Sequence, residues 1–258
     1  MGENKVRVAA VIPAYNVENT IAKVASQAKK FVDEVIAIND GSKDGTLEIL
    51  RKLGVTVIDH PKNKGLGCAL RDGFKEALKK GFDIIVTLDG DGQHNPEDIK
   101  RLVARLKKNQ ADVVIGSRLL DQKEWSNFPK TRLYGNRLMT LFTNLICHKK
   151  VTTDSQGGYR AFKREALKKL ELKAERMEIS SEIIFEVAKN NLRLKEVPIK
   201  ATYDREISNV KAFRDIYRIL KILTQKRLKV SKKRVSTSQF EPVPDKPKKG
   251  LRVSHNAK

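Results

Sequence analysis

Only two cysteines occur in the 258 residues. Cys68 and Cys147 show no metal-type spacing, which excludes a disulfide framework or a cysteine-rich zinc site and makes reduced thiols in a cytosolic compartment the expectation. Tryptophan occurs once and aromatics total 6%. That leaves no stacking series and no recognised nucleic-acid motif, so a nucleic-acid-binding protein is the minor alternative and no specific nucleic acid is expected as a partner. No apolar run approaches membrane length: Leu138–Cys147, LMTLFTNLIC, is about half of what a bilayer span requires. The opening MGENKVRVAA runs straight into core-type residues without a signal-peptide pattern. Acidic residues are the minority, 31 against 53 Lys+Arg, for a net charge of +22. Basicity on this scale suits nucleic acid, anionic lipid or phosphorylated substrates and does not choose among them.

Against that background, the stretch LDGDGQHNP (Leu88–Pro96) places two carboxylates one residue apart after the apolar run DIIVT. The first ~120 residues alternate short apolar runs with amphipathic patterns. Strands are expected at Val6–Ile12, Glu34–Asn39, Val55–Asp59, Asp83–Leu88 and Asp112–Ser117. Helices are expected at Thr20–Val32, Thr46–Leu53, Leu66–Lys80 and Pro96–Lys108. This rhythm predicts an α/β fold with a mostly parallel central sheet and helices on both faces. Further on, helices are expected near Arg132–Cys147 and Ser180–Asn190, with a strand at Arg193–Ile199. The segment 210–230 reads as a basic amphipathic helix with Phe213, Ile216, Tyr217, Leu220 and Leu223 on one face. It packs either on its own domain or on an anionic membrane surface. Residues 231–258 form a basic tail too poor in apolar side chains to fold.

In open parallel sheets, ligands bind beyond the carboxyl ends of the strands. PAYN (Pro13–Asn16), NDGS (Asn39–Ser42), LDGDGQ (Leu88–Gln93) and GSR (Gly116–Arg118) all fall at such ends and should converge on one crevice. Asp89 and Asp91 alternate on an extended backbone, with Gly90 permitting a close chain path. They offer two hard oxygen ligands for Mg²⁺ or Mn²⁺ without a complete cage. Such a metal would stabilise a diphosphate leaving group. The competing reading is that both carboxylates merely end a strand and cap the Pro96 helix. Gly65 and Gly67 do not match Walker-A spacing and are read as close chain packing at a helix start. His94 is read as a turn residue, since nothing at ligand spacing accompanies it.

Five segments, VIPAYN, VIAINDGSKDGT, NKGLGCALRDGF, IIVTLDGDGQHNPEDI and VVIGSR, stand in the order and spacing of inverting family-2 glycosyltransferases with the nucleotide-sugar-binding GT-A fold. DSQGGYRAF resembles the polyprenyl-phosphate branch, which includes dolichol-phosphate mannose and glucose synthases. The resemblance covers residues 6–165 strongly and extends weakly to about 210, which makes 1–209 the expected catalytic domain. It implies a nucleotide diphosphate sugar donor (GDP-mannose or UDP-glucose), a polyprenyl phosphate acceptor, and a chain peripheral at the cytoplasmic membrane face. By matching position, Pro13, Tyr15 and Asp40 would line the base and ribose. Asp89, Gly90 and Asp91, with Gln93, would hold metal and diphosphate. Arg118 and Arg132 would face phosphate, and Asp154 would stand opposite the donor sugar, leaving Asp91, Arg118 and Asp154 as the catalytic candidates. Two departures touch the fine contacts: Val17 stands where similar enzymes have Glu, displacing the acid to Glu18, and Glu206 and Ile207 occupy a region where Gly-x-Ser is usual. A lipid phosphate is already anionic and needs little general-base help, whereas a hydroxyl on a soluble or glycan acceptor would need a base, for which Asp154 is the candidate. A nucleotidyltransferase would need a Gly-rich basic loop that VIPAYNVENT lacks.

Overall fold

A computed structural model describes residues 5–121, 125, 128–200 and 217–228. The strands are β1 (Val8–Ala14), β2 (Glu34–Asn39), β3 (Thr56–Asp59), β4 (Ile84–Thr87), β5 (Val113–Ser117), β6 (Arg160–Lys163) and β7 (Leu194–Pro198). The helices are α1 (Glu18–Ala28), α2 (Thr46–Lys52), α3 (Leu66–Lys79), α4 (Ile99–Lys107), α5 (Lys130–Ile146), α6 (Arg164–Leu167), α7 (Ile179–Lys189) and α8 (217–228). One seven-stranded sheet runs in the order β3-β2-β1-β4-β6-β5-β7. All pairings are parallel except those of β6, which is antiparallel to both β4 and β5.

The strands β1, β2, β4 and β5 are buried on both faces, as expected for apolar runs without polar alternation. In β1, Val8, Ala10 and Ile12 join Val35, Val86, Val114 and Ala161 on one side, with Ile21 and Val24 of α1 and Leu102 of α4. The intervening Ala9 and Val11 join Ile36, Ile85 and Phe162 on the other, with Phe74 of α3 and Ile183 of α7. Helix α3 lies close on the sheet because Gly73 has no side chain; a Cβ there would sit 2.4 Å from Val11 Cγ1.

The expected elements are present, shifted by a few residues at their ends; β1, for example, continues through Pro13 to Ala14. The short β6 and α6 were not anticipated. Because β6 runs against its neighbours, it brings the loop before it, residues 154–158, to the same edge as the ends of β4 and β5. Helix α8 packs Ile219 and Leu223 against Met139 of α5 and Phe185 of α7. Lys226 reaches the fully buried carboxylates of Glu182 and Glu186 at 2.9 and 2.7 Å. Of the apolar side chains in the described part of the 210–230 segment, Ile219 and Leu223 are therefore turned into the protein, whereas Tyr217 is exposed. Phe213, Ile216, Glu206, Ile207 and the 231–258 tail lie outside the described residues.

Candidate active site

The loops after β1 and β2 are tied together by their own polar side chains. Asn16, at φ 51°, accepts from Lys43 N–H at 2.8 Å and donates its backbone N–H to Ser42 Oγ at 3.0 Å. Glu18, the displaced acid, accepts from Gly45 N–H at 2.7 Å, and Asp44 accepts from the N–H groups of Glu18 and Thr46. Asp40 is buried. Its oxygens take the N–H groups of Lys64 and Gly65 at 2.9 and 2.8 Å and face His60 Nδ1 at 2.8 Å. Its carboxylate thus organises the 60–65 loop, while Tyr15, 46% exposed, lies open at the end of β1 beside the half-buried Pro13. Gly65 and Gly67 pack on the backbone of Ala174 and Glu175, where any Cβ would collide at 2.5 and 2.2 Å. That is close chain packing, as read from the spacing.

The acidic pair stands at the carboxyl end of β4. Asn95 caps the following turn by accepting from Glu97 N–H at 3.1 Å, with Pro96 first in the turn. The aspartates are therefore not needed as the cap. Asp91 is exposed and accepts from Gln93 N–H at 3.0 Å. Asp89 keeps 37% of its side chain exposed. Burial raises its proton affinity, against the pull of Arg118 and Arg160. Asp91 is raised too, by desolvation and by its neighbour Asp89, and Arg132 acts to lower it. The carboxylate of Asp89 lies directly over the α-carbon of Gly158: a Cβ there would fall 2.5 Å from Oδ2. Gly90 similarly lets the chain pass Pro13 and Ile21.

Across from the pair, Arg118 and Asp154 form a two-pronged ion pair, Nε to Oδ2 at 2.8 Å and Nη2 to Oδ1 at 3.0 Å. Asp154 is fully buried. Desolvation pushes its pKa up, but the charge and hydrogen bonds of Arg118 outweigh that and hold it below the usual carboxylate range. Arg160, on β6, is buried beneath both acids. It donates from Nη2 to Ser155 O at 2.9 Å, and burial lowers its pKa to about 10 against the opposing fields of Asp154 and Asp89. His94 is also buried, tilted against the Tyr159 ring, with Nδ1 3.8 Å from Asp89 Oδ2 and no hydrogen bond to that nitrogen among the described residues. Desolvation and Arg118 bring its pKa down to about 4, so it is neutral near pH 7.

Among the described residues no three His, Cys, Asp or Glu side chains group around a possible metal position. The donor set is instead two carboxylates one residue apart, both with raised proton affinity, and so short of positive charge. This fits a hard divalent ion that keeps its remaining positions for water and phosphate oxygens. Gln93, half-buried, uses its backbone N–H on Asp91.

A mostly parallel sheet carrying this acid pair, the arginine cluster and the loop tie at one edge defines a GT-A fold. Residues 9–171 match the model of glycosyl transferase family 2, and the chain belongs to that family and is a glycosyltransferase. It is 37% identical over 235 residues to the UDP-N-acetylglucosamine–dolichyl-phosphate N-acetylglucosaminyltransferase of Methanococcus voltae, covering 81% of this chain and 93% of the relative. It is 30% identical over 215 residues to the undecaprenyl-phosphate mannosyltransferase of Micrococcus luteus, covering 80% and 87%. Among solved structures, glucosyl-3-phosphoglycerate synthase from Mycobacterium tuberculosis, crystallised with Mn²⁺, UDP and glucosyl-3-phosphoglycerate, superposes with a TM-score of 0.68 at 19% identity, covering 86% and 80%. That likeness is one of fold.

The structure thus brings Asp89, Asp91, Arg118, Arg132 and Asp154 to one region. Sequence reasoning missed Arg160, His94 and Gly158 as parts of it. The signal for Arg160 and Gly158 was present in GGYRAF, where a double glycine precedes a short strand with a charge at an inward position.

Proposed function

We propose that the protein transfers a hexose or N-acetylhexosamine from a nucleotide diphosphate sugar to a polyprenyl phosphate, with inversion and with Mg²⁺ or Mn²⁺. The observation that carries this reading is the facing of the Asp89/Asp91 pair and the Arg118–Asp154 pair across one sheet edge, with Arg160 beneath both. A bound divalent ion would neutralise the diphosphate leaving group. Asp89 and Asp91, with Gln93 beside them, hold the ion, and Pro13 and Tyr15 border the base and ribose. The Asp40 loop supports that border. Arg118 and Arg132 draw the acceptor phosphate in against the like charge of the donor. One acceptor phosphate oxygen forms the new bond to the anomeric carbon from the face opposite the departing diphosphate. The bond from that carbon to the nucleoside diphosphate breaks, and its electron pair leaves with the diphosphate.

Asp154 favours a phosphate over a hydroxyl acceptor. Both its oxygens engage Arg118 and its pKa is held low, so it is a poor proton acceptor. A phosphate nucleophile needs no deprotonation at neutral pH. The relatives carry different sugars in their names, N-acetylglucosamine in one and mannose in the other, and share a polyprenyl-type phosphate. The donor choice therefore extends to UDP-N-acetylglucosamine beside GDP-mannose and UDP-glucose.

The test incubates the protein with each radiolabelled donor, a polyprenyl phosphate and Mg²⁺ or Mn²⁺, followed by organic extraction. Label should enter the lipid phase from one donor and only with metal present. Label that stays in water with every donor, or reaches a sugar acceptor instead, would overturn the reading.

A further inference from the structure

The outermost strand β7 carries one acid, Glu196, in the run LKEVP. Glu196 stands opposite Ile115 of β5 and so shares a sheet face with Ser117, two residues further along that strand. Its Oε1 accepts three hydrogen bonds from the loop that leads into Asp154: Thr152 Oγ1 at 2.7 Å, Thr153 N–H at 2.8 Å and Thr153 Oγ1 at 2.9 Å. A hydroxyl has one proton to donate. Both threonines direct theirs to Glu196, which leaves Thr152 Oγ1 to accept from Asp154 N–H at 3.1 Å and Thr153 Oγ1 to accept from Ser117 Oγ at 2.7 Å. Ser117 Oγ in turn accepts from Leu119 N–H at 3.2 Å. Two chains of hydrogen bonds, one from each side of the Arg118–Asp154 pair, thus end on the same carboxylate oxygen.

Arg118 meets Asp154 through its backbone N–H as well as Nε and Nη2, so the place of the guanidinium follows the place of the loop. Ser117, Thr152 and Asp154 are buried, where a lost contact is costly. We infer that Glu196 is a positioning residue: from the sheet edge it holds the 152–154 loop in register with the end of β5 and thereby fixes where Arg118 meets the acceptor phosphate. This rests on the proposed role of Arg118. The effect belongs to the acceptor side, because Asp89 and Asp91 follow β4 and the base border follows β1 and β2.

The test measures steady-state transfer to a polyprenyl phosphate by wild type, Glu196→Ala, Glu196→Gln and Thr153→Val. Calorimetric binding of UDP or GDP with Mn²⁺ is followed on the same preparations. Glu196→Ala should lower kcat/KM for the acceptor by about 10–100-fold, while nucleotide affinity stays within about twofold. Glu196→Gln keeps a carbonyl oxygen for the three donors and should recover most of the loss. Thr153→Val removes only the hydroxyl and should show the same acceptor-sided defect in smaller measure; it decides the matter if Glu196→Ala does not fold. Parallel losses of acceptor turnover and nucleotide affinity would mean that Glu196 merely supports the fold. That result, or wild-type turnover in Glu196→Ala and Thr153→Val, would overturn the assignment. Hydrogen exchange reads the brace without the reaction. In Glu196→Ala, or in Thr153→Val in its place, the amide protons of Arg118 and Asp154 should exchange about fivefold faster or more, and that of Gly45, held by Glu18, should not change. Unchanged exchange at Arg118 and Asp154 would also overturn it. A wild type that transfers sugar to no polyprenyl phosphate would remove the proposed reaction and leave the exchange rates to decide the brace.

Discussion

A methyl group built on the α-carbon of Gly158 would lie 2.5 Å from Asp89 Oδ2 and 2.7 Å from Oδ1. Ordinary contact begins near ~3.4 Å, so the Gly158→Ala variant must separate the two by about 0.7–0.9 Å. The loop is not free to move away. Thr87 Oγ1 donates to Gly158 O at 2.7 Å, and Gly116 N–H donates to Tyr159 O at 2.9 Å. Gly158 does not have a positive φ, so its backbone accepts alanine without strain. The displacement therefore falls on the Asp89 carboxylate, the end of a short side chain that is 37% exposed. Rotating it off its preferred position costs about 0.5–1.5 kcal/mol, which the loss of glycine's freedom in the unfolded chain offsets by about 0.4–1 kcal/mol. The melting temperature should thus stay within about 2–4 °C of wild type. Activity should respond far more, because a ~1 Å error at a positioning group costs up to about 100-fold. The assay is initial-rate transfer against metal concentration, paired with calorimetric melting of the same preparation. A fall in kcat/KM of roughly 10–100-fold, with a shifted metal requirement and an intact melt, is expected. Wild-type rate and metal dependence would refute the reasoning that Gly158 exists to seat Asp89.

The Arg118–Asp154 pair should behave as a buried couple. Arg118→Ala leaves a carboxylate with no exposure that keeps the Gln156 N–H and the field of Arg160, and should destabilise by about 3 kcal/mol. Adding Asp154→Asn should restore part of that loss in a denaturant-unfolding cycle, while transfer stays abolished in all three variants. Additive losses would show the two are not coupled. Acid stability tests a different point. Asp112 is held down to about 2 by Arg193, below the ordinary 3.8, so the folded chain binds that proton less tightly than the unfolded one. Its contribution is complete above the ordinary value and disappears as pH falls towards 2. Since the Arg193 side chain is 53% exposed, the contribution is discounted to about 1 kcal/mol. Asp112→Asn should flatten unfolding free energy against pH in that window, and an unchanged slope would contradict the pairing.

The parallel framework was legible because β1, β2, β4 and β5 are apolar at nearly every position, a pattern that only two-sided burial explains. The crevice followed from topology, since motifs at the ends of parallel strands must share an edge. What stayed hidden was long-range pairing. Strand β6 is four residues long and places Arg160 in the core, which breaks the apolar signal. The resemblance places Asp40 at the base and ribose, and no sequence signal showed that Glu18 and Asp40 also accept from backbone N–H groups 24 to 27 residues away. An amphipathic pattern is legible over 210–230, but a stripe of apolar side chains does not reveal whether protein or lipid covers it.

The central claim is that a divalent ion held by Asp89 and Asp91 joins the protein to the donor's diphosphate. Titration calorimetry of UDP and GDP, each with Mn²⁺ and with chelator, measures this without any acceptor or turnover. The account predicts that one nucleotide binds at least about tenfold more tightly with Mn²⁺, an effect of about 1.4 kcal/mol, and that Asp89→Asn/Asp91→Asn removes the difference. Metal-independent binding of equal strength, or a metal effect that survives in the double variant, would contradict it.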